Sequence, residues 1–347
     1  MDAAPTHSWP AFVCPRCHAS VESEPDAWRC RGCSAGYPIV HGIADFRVEP
    51  DPWIGLEDDR AKAKRLIEQN PTADFETTVR AYWEMTPSTP KAHAERFIDA
   101  VLGAEKRTLE WTELPEQADL SGPTCSPVLD LGCGTADMAA VFAARGIATV
   151  SIDIAMRWLV QAPRRPALAH AQHLLVCCNA EHLPFADRSF GGAVSLGMLE
   201  HCRDAQAVLA EVGRVLRPSA PLHLRTVNRF GLLPEPHVGV WGVGFVPRRH
   251  ADAFVRWRSG QRYLHHRPIA SHELRRALRA TGWTQVRVVA ASLLEADRAR
   301  VPAPLGGLID AYSTLRTAPL LRRPLSWIAP LLEASARRPA SATAQAS

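Results

Sequence analysis

Apolar positions change period along this chain, and the changes mark out its elements. From residue 56, apolar side chains recur every three or four positions among Ala, Arg, Glu and Leu, the spacing of amphipathic helices. Pro71, Pro87 and Pro90 interrupt the stretch and divide it into helices over 56–69, 73–84 and 91–110. A polar connection, 116–126, follows. Short apolar runs of strand length then alternate with helical patterns. Strands fall at 127–131, at ATVSID ending in Asp153, at 173–178, 190–196, 221–227 and 284–291. Helices fall at 136–144, 248–258 and 272–280, the last capped by Ser271 and ended by Gly282. Strands alternating with helices predict an α/β fold on a mostly parallel sheet. Ahead of all this, residues 37–46 (YPIVHGIADF) hold two apolar runs around His41-Gly42, which suits a hairpin.

Composition changes this picture little. A chain of 347 residues can hold one large domain with additional segments. No run reaches the ~20 apolar residues that span a bilayer, and no apolar leader precedes the first cysteines. The expectation is a cytoplasmic protein whose nine cysteines are ligands and buried thiols, not disulfides. Charge is uneven. Residues 1–50 carry six acids and four bases, whereas 248–289 carry ten Arg against Asp252 and Glu273. The basic stretch is either a solvated helix face or a surface for an anionic partner.

Four cysteines add a first piece of chemistry. Cys14, Cys17, Cys30 and Cys33 follow C-x2-C-x12-C-x2-C. Each pair is a short turn that aims two thiolates at one point, and four thiolates close a tetrahedral shell around Zn²⁺. A closed shell makes the metal structural, and it supplies folding energy to a segment with little core. Iron with four thiolates is the alternative. His18 and His41 read as surface residues beside this set.

The second piece is VLDLGCG, residues 128–134. A strand runs into a glycine turn, with Asp130 just before it and Asp153 closing the next strand. Gly132 and Gly134 let backbone approach a ligand closely. A carboxylate at Asp153 can accept ribose hydroxyls. Position 137 is Asp, not the third glycine of a dinucleotide fingerprint, and it would sit badly beside a pyrophosphate. S-adenosylmethionine (SAM) has the nucleoside without the phosphate. After the third strand, Asn179 can reach the adenine edge and the Ala180 backbone the ring nitrogens.

Taken in order, VLDLGCGTA (128–136), SID (151–153), NAEHLPFADRSFGGAVSLGMLEH (179–201) and EVGRVLRP (211–218) resemble the class I SAM-dependent methyltransferases, in their ubiquinone/menaquinone and small-molecule branch. The likeness covers about residues 120–230. It implies a Rossmann-like seven-stranded sheet whose antiparallel last strand is 331–337. It also implies a SAM site formed by Asp130, Gly132, Cys133, Gly134, Asp153, Ile154, Asn179, Ala180, Glu181 and Leu196. Two departures stand out: Asn179 where the family has Asp, and Phe190-Gly191 where it has Phe-Asp. The front segment resembles zinc-ribbon pieces found beside or within methyltransferases, and the overall arrangement is distantly similar to zinc-containing 23S ribosomal RNA guanine methyltransferases. The implied organisation is a zinc ribbon (1–50), a helical lid or bridge (51–115) and a methyltransferase domain (116–337) carrying inserts at 229–270 and 292–328. A disordered tail (338–347) ends the chain.

Ligands in open α/β sheets bind beyond the carboxyl ends of the strands, which directs attention to the glycine- and proline-rich segment after 228. It is too long and apolar for a plain loop and, with His237, Trp241 and Phe245, reads as a substrate wall. His201, following the fourth strand, is the leading candidate base; His237, Tyr263, His265 and His266 are further candidates. Cys133, Cys177 and Cys178 read as small packed residues. Segment 303–328 mixes leucines, Trp327 and arginines, a pattern for a second lid, a peripheral membrane contact or a homodimer face. The expected activity is methyl transfer to O, N or C of a small hydrophobic or glycosylated metabolite, including secondary metabolites. Ribosomal RNA methylation and non-catalytic SAM binding are the alternatives. An acidic cysteine segment lacking an aromatic–basic ladder argues against nucleic acid.

Overall fold

Four short strands built around the cysteine pairs feed directly into a parallel sheet. In the computed structural model, which describes residues 9–87, 89–120, 122–295, 306–318 and 320–340, the strands are β1 (Val21–Ser23), β2 (Ala27–Cys30), β3 (Gly36–Val40) and β4 (Ile43–Asp45). β1 to β4 form antiparallel neighbours. β4 then pairs in parallel with β7 (His173–Cys177), Asp45 opposite Cys177. β7, β6 (Thr149–Asp153) and β5 (Val128–Leu131) continue in parallel, with Asp130 opposite Ser151 and Asp153 opposite Cys177. Val128, Leu129, Leu131, Val150, Ile152 and Val176 are all buried, the near-continuous apolar composition of strands covered on both faces.

The chain divides into two compact units, Met1–Ala193 with Arg214–Arg217, and Val194–Gly213 with Pro218–Ser347. In the first, helices α1 (Leu56–Gln69), α2 (Phe75–Glu84), α5 (Asp137–Ala143) and α6 (Met156–Leu159) contribute Leu66, Tyr82, Ala140, Met156 and Leu159 to one core with Val40, Ile43 and Cys177. Asp74 caps α2 by accepting the Thr77 N–H at 2.8 Å. The helix expected over 91–110 is two: α3 (Lys91–Leu102) and α4 (Ala104–Thr112) meet at Gly103, where a residue of poor helix propensity ends one helix.

A buried ionic lattice ties the exit of β4 to α1 and α6. Arg47 bonds both Asp45 oxygens, Asp59 and the Ile154 carbonyl. Arg157 bonds Asp59 and Asp51 at 2.7 Å each. The side chains of Asp45, Arg47 and Asp59 have no solvent exposure, so each charge depends on its partners for solvation.

In the second unit β8 (Gly192–Leu196, its last three residues here), β9 (Pro221–Val227), β11 (Leu331–Arg337) and β10 (Thr284–Ala290) lie in that order. β11 is antiparallel to both neighbours, Leu331 opposite Val227 and Ala334 opposite Val288, as expected of the last strand. The remaining helices are α7 (Ala205–Val215), α8 (Ala251–Ser259), α9 (Ser271–Ala280), α10 (Gly306–Thr317) and α11 (Arg322–Ile328). Ser271 is not the cap of α9. Ala270 holds that position, and Glu273 Oε2 accepts its N–H at 2.9 Å. Parts of the expected 292–328 insert and of the tail lie outside the described residues. Among the described residues no helix is long and apolar enough to cross a membrane.

Candidate functional site

The turn after β5 is held open by its neighbours. Gly132 and Gly134 have φ of +71° and +53°, where side chains are strained. A Cβ at Gly134 would meet nothing within 4 Å among the described residues, so the turn presents bare backbone to open space. Asp153 fixes it: Oδ2 accepts the Gly134 N–H and Oδ1 the Ala155 N–H, both at 2.8 Å. Arg165, which the motif reading missed, grips the far side by donating to the Thr135 carbonyl at 2.7 Å and to its hydroxyl at 2.9 Å. No motif marked it; its role depends on a fold that brings residue 165 to residue 135.

Asp130 is buried and accepts the Ser151 hydroxyl at 3.0 Å. Burial, then the charges of Asp137 and Asp153, push its pKa well above the usual carboxylate range. Burial also raises Asp153, against the bonds from Ala155 and Gly134. Burial and mutual repulsion make it costly to ionise these neighbouring acids, a cost that a cationic group beside the turn would relieve and a pyrophosphate would increase.

Asn179 has a second engagement. Its Oδ1 accepts the N–H groups of Val48 and Glu49 at 2.8 and 3.1 Å, and Nδ2 donates to the Glu49 carbonyl at 3.2 Å. Both acceptor positions of that oxygen are engaged within the chain, away from the adenine-edge contact that the sequence suggested for it. The side chain instead clamps the 177–181 turn to the chain leaving β4, with Phe46 N–H bonded to the Cys177 carbonyl at 2.7 Å. Ala180 is buried, and Ile154 and Glu181 are half-buried. Cys133, Cys177 and Cys178 are buried, and burial pushes their thiols well above the ordinary range, as packed residues require.

The departure at Gly191 has a steric cause. A Cβ there would come within 2.2 Å of the Thr124 carbonyl oxygen and 2.7 Å of the Cys125 Cα. The turn at 123–125 occupies the space that an aspartate would need.

The four cysteine sulfurs converge. All lie within 4.8 Å of one another, with Cys14–Cys33 at 3.6 Å and Cys17–Cys30 at 3.4 Å. A zinc–sulfur bond of ~2.3 Å in a tetrahedron separates sulfurs by about 3.8 Å, so the set fits the metal. The Cys33 and Gly32 N–H groups point at Cys30 Sγ from 3.3 and 3.2 Å. These bonds, the Cys33 one first and against burial, lower the Cys30 thiol to about 6. His18 and His41 lie outside the cluster on exposed turns. Phe12, Trp28, Tyr37 and Phe46 pack ring against ring beside it, and Phe12 continues onto Phe185.

In the second unit three histidines far apart in sequence meet. His201 sits on the short turn Leu199–His201, His237 follows Glu235-Pro236, and His266 precedes Arg267-Pro268. Ring centroids are 4.8 Å apart for His201–His237, 5.2 Å for His201–His266 and 4.2 Å for His237–His266. Tyr263 lies 5.3 Å from His266. Glu235 Oε1 is 2.6 Å from His237 Nδ1, and Glu235 Oε2 accepts the His237 and Val238 N–H groups. Burial lowers His237, but the hydrogen bond and charge of Glu235 outweigh it and raise the pKa. Burial and the neighbouring imidazoles lower His266 to about 3. Burial and Glu235 push the Tyr263 hydroxyl far up, so it stays protonated. His265 is not among the clustered rings.

A cavity of about 580 Å³ opens in this unit, lined among others by Glu235, Tyr263, His266, Arg229, Arg248 and Arg267. The segment after 228 does wall it, but through Leu233, Val243 and Val246. Trp241 and Phe245 point outward, 60% and 52% exposed. Gly244 is required at the rim, because its Cβ would stand 1.5 Å from the Arg229 carbonyl oxygen. Glu235 was not singled out from sequence; its position two residues before His237 was the available signal.

With this geometry in hand, the relatives can be placed. Residues 129–224 match the family described as methyltransferase domain. An O-methyltransferase of Aspergillus sclerotiorum is 33% identical over 122 residues, 34% of this chain and 46% of that protein. A malonyl-[acyl-carrier protein] O-methyltransferase of Alcanivorax borkumensis is 29% identical over 217 residues, 59% of this chain and 72% of that one. The chain spans about half the length of the first two curated relatives it matches. A solved SAM-dependent methyltransferase from Archaeoglobus fulgidus shows 14% identity and a TM-score of 0.44, covering 70% of this chain and 97% of that one. The α/β sheet with its mixed strand order is of the Rossmann-like type typical of class I SAM-dependent methyltransferases, and residues 129–224 carry the similarity to the methyltransferase domain.

Proposed function

We propose that this protein transfers a methyl group from SAM to an oxygen of a small-molecule acceptor, with its sheet completing the seven-stranded class I arrangement. The observation that carries the reading is the open glycine turn at 132–134, braced by Asp153 and ringed by Asp130 and Asp137. Gly132, Cys133 and Gly134 would hold the methionine part, Asp153 and Ile154 the ribose, and Ala180 and Glu181 the adenine side, with Asn179 positioning that turn. When bound, SAM supplies an electrophilic sulfonium methyl. The chain's own residues align the acceptor and receive its proton.

The cavity of the second unit is proposed as the acceptor site. Its arginines suit an acceptor with an acidic or phenolic oxygen, and its apolar wall suits a hydrophobic body. In this reading His266 faces the acceptor, with His201 and His237 packed beside it and Tyr263 as a neutral donor. The oxygen is favoured because the matched curated relatives include several O-methyltransferases. The four cysteines would hold a structural zinc ion that keeps β1–β4 folded so that Val48 and Glu49 meet Asn179.

The test is a labelled-methyl assay with SAM against phenols and hydroxy acids, run beside calorimetry with S-adenosylhomocysteine. Methylated product with loss on His237→Ala supports the proposal. Tight cofactor binding without turnover on any acceptor class would favour a non-catalytic SAM-binding protein.

A further inference from the structure

We infer that His201, His237 and His266 form a binding site for a divalent transition-metal ion, distinct from the cysteine cluster. One ligand nitrogen from each histidine lies within 4.8 Å of the others. Metal–nitrogen bonds of ~2.0–2.1 Å in a tetrahedral shell place nitrogens about 3.3 Å apart, so closing the site takes ring shifts of about 1 Å together with a rotation that unstacks His237 from His266, whose rings lie 18° from parallel. The histidines come from three separate loops of one unit, and residues 201 and 266 are 65 positions apart in the chain.

The surroundings are those of a metal ligand set. The Glu235 carboxylate bonds His237 Nδ1 at 2.6 Å, which leaves Nε2 as the ligand atom. A carboxylate behind an imidazole orients the ring and raises its donor strength at metal centres. Glu235 is 9% exposed and Glu200, beside His201, 2% exposed. Glu200 Oε2 accepts the Thr226 hydroxyl at 2.7 Å. Two buried carboxylates beside three imidazoles favour a cation among them. Imidazole ligands select Zn²⁺, Cu²⁺, Fe²⁺ or Ni²⁺ over Mg²⁺ or Ca²⁺. Three protein ligands leave a coordination position open, and His266 lines the cavity, so an oxygen of a molecule in that cavity can complete the shell. A metal-bound hydroxyl loses its proton more readily than a free one.

The metal site stands on this geometry alone, and cofactor calorimetry reads the methyl-transfer proposal separately. The experiment uses full-length protein with zinc in the cysteine cluster, titrated with Co²⁺ and followed by visible absorption and metal analysis. One further Co²⁺ per chain is expected, with weak ligand-field bands and no sulfur-to-cobalt charge transfer. His237→Ala and His266→Ala should each abolish this uptake, and Glu235→Gln should weaken it by about 10- to 100-fold. Circular dichroism melting of each variant separates loss of the site from loss of the fold. If a variant does not fold, Glu235→Gln still decides the matter. No uptake by the wild type at millimolar Co²⁺ would overturn the inference. So would uptake that folded histidine variants retain, or uptake showing only thiolate charge transfer.

Discussion

Asp153 accepts the Gly134 N–H at 2.8 Å, so the carboxylate that closes β6 also sets the backbone of the turn after β5. The two motif residues, 19 positions apart, are therefore one structural unit. The bond uses one lone pair of Oδ2, and an ionised carboxylate has about four acceptor positions. Capacity remains for ribose hydroxyls.

Gly191→Asp, which restores the residue that the family resemblance puts there, should be strongly destabilising. The new Cβ would collide with the backbone at Thr124 and Cys125, which cannot swing aside as a side-chain tip does. A loss of about 3 kcal/mol or more is expected, read from urea unfolding. Wild-type stability would show that the 123–125 turn yields freely.

Asn179→Ala should lower stability by about 1–3 kcal/mol by stranding the Val48 and Glu49 N–H groups. Asn179→Asp keeps an acceptor for both and should be tolerated better. Thermal melts of the two variants check the order, which fails if alanine is the milder change.

Asp45 gives a pH dependence. Burial alone would raise its pKa, but Arg47 and Arg60 hold it below the usual carboxylate range. The folded value lies beneath the unfolded one. The contribution is therefore complete above the unfolded value of ~3.9 and is lost as pH falls through the lowered folded value. Asp45→Asn should flatten the acid limb of the stability profile. Arg47→Met, which leaves Asp45 and Asp59 buried without it, should cost about 3–5 kcal/mol. An unchanged acid limb in Asp45→Asn would contradict the assignment.

If the four cysteines hold zinc as proposed, its removal should unfold the cysteine segment first. Chelation should make Cys14, Cys17, Cys30 and Cys33 reactive to a thiol reagent while Cys133, Cys177 and Cys178, buried in the sheet region, stay protected. Equal reactivity before and after chelation would show that no metal was held.

Sequence patterns made the sheet legible because buried parallel strands are continuous apolar runs and their turns need glycine. Val128–Leu131 and Pro221–Val227 fall where those patterns put them, and Leu331–Arg337 where the family resemblance put the antiparallel last strand. The cysteine cluster was equally readable, since its geometry is local. The convergence of His201, His237 and His266 was not, because separate loops bring them together and no spacing encodes it. The Arg47–Asp59–Arg157 lattice and the clamp from Asn179 to Val48 stayed hidden for the same reason. At Gly191 the pattern showed a departure, but its cause lay in a turn that only the fold brings near.

Calorimetric titration of pure, folded protein with S-adenosylhomocysteine tests the central claim most directly. Saturable binding is expected, weakened roughly 10- to 100-fold in Asp153→Ala through lost charge-assisted hydrogen bonds. Absence of heat with SAM and its demethylated product, alongside tight binding of NAD, would contradict the account.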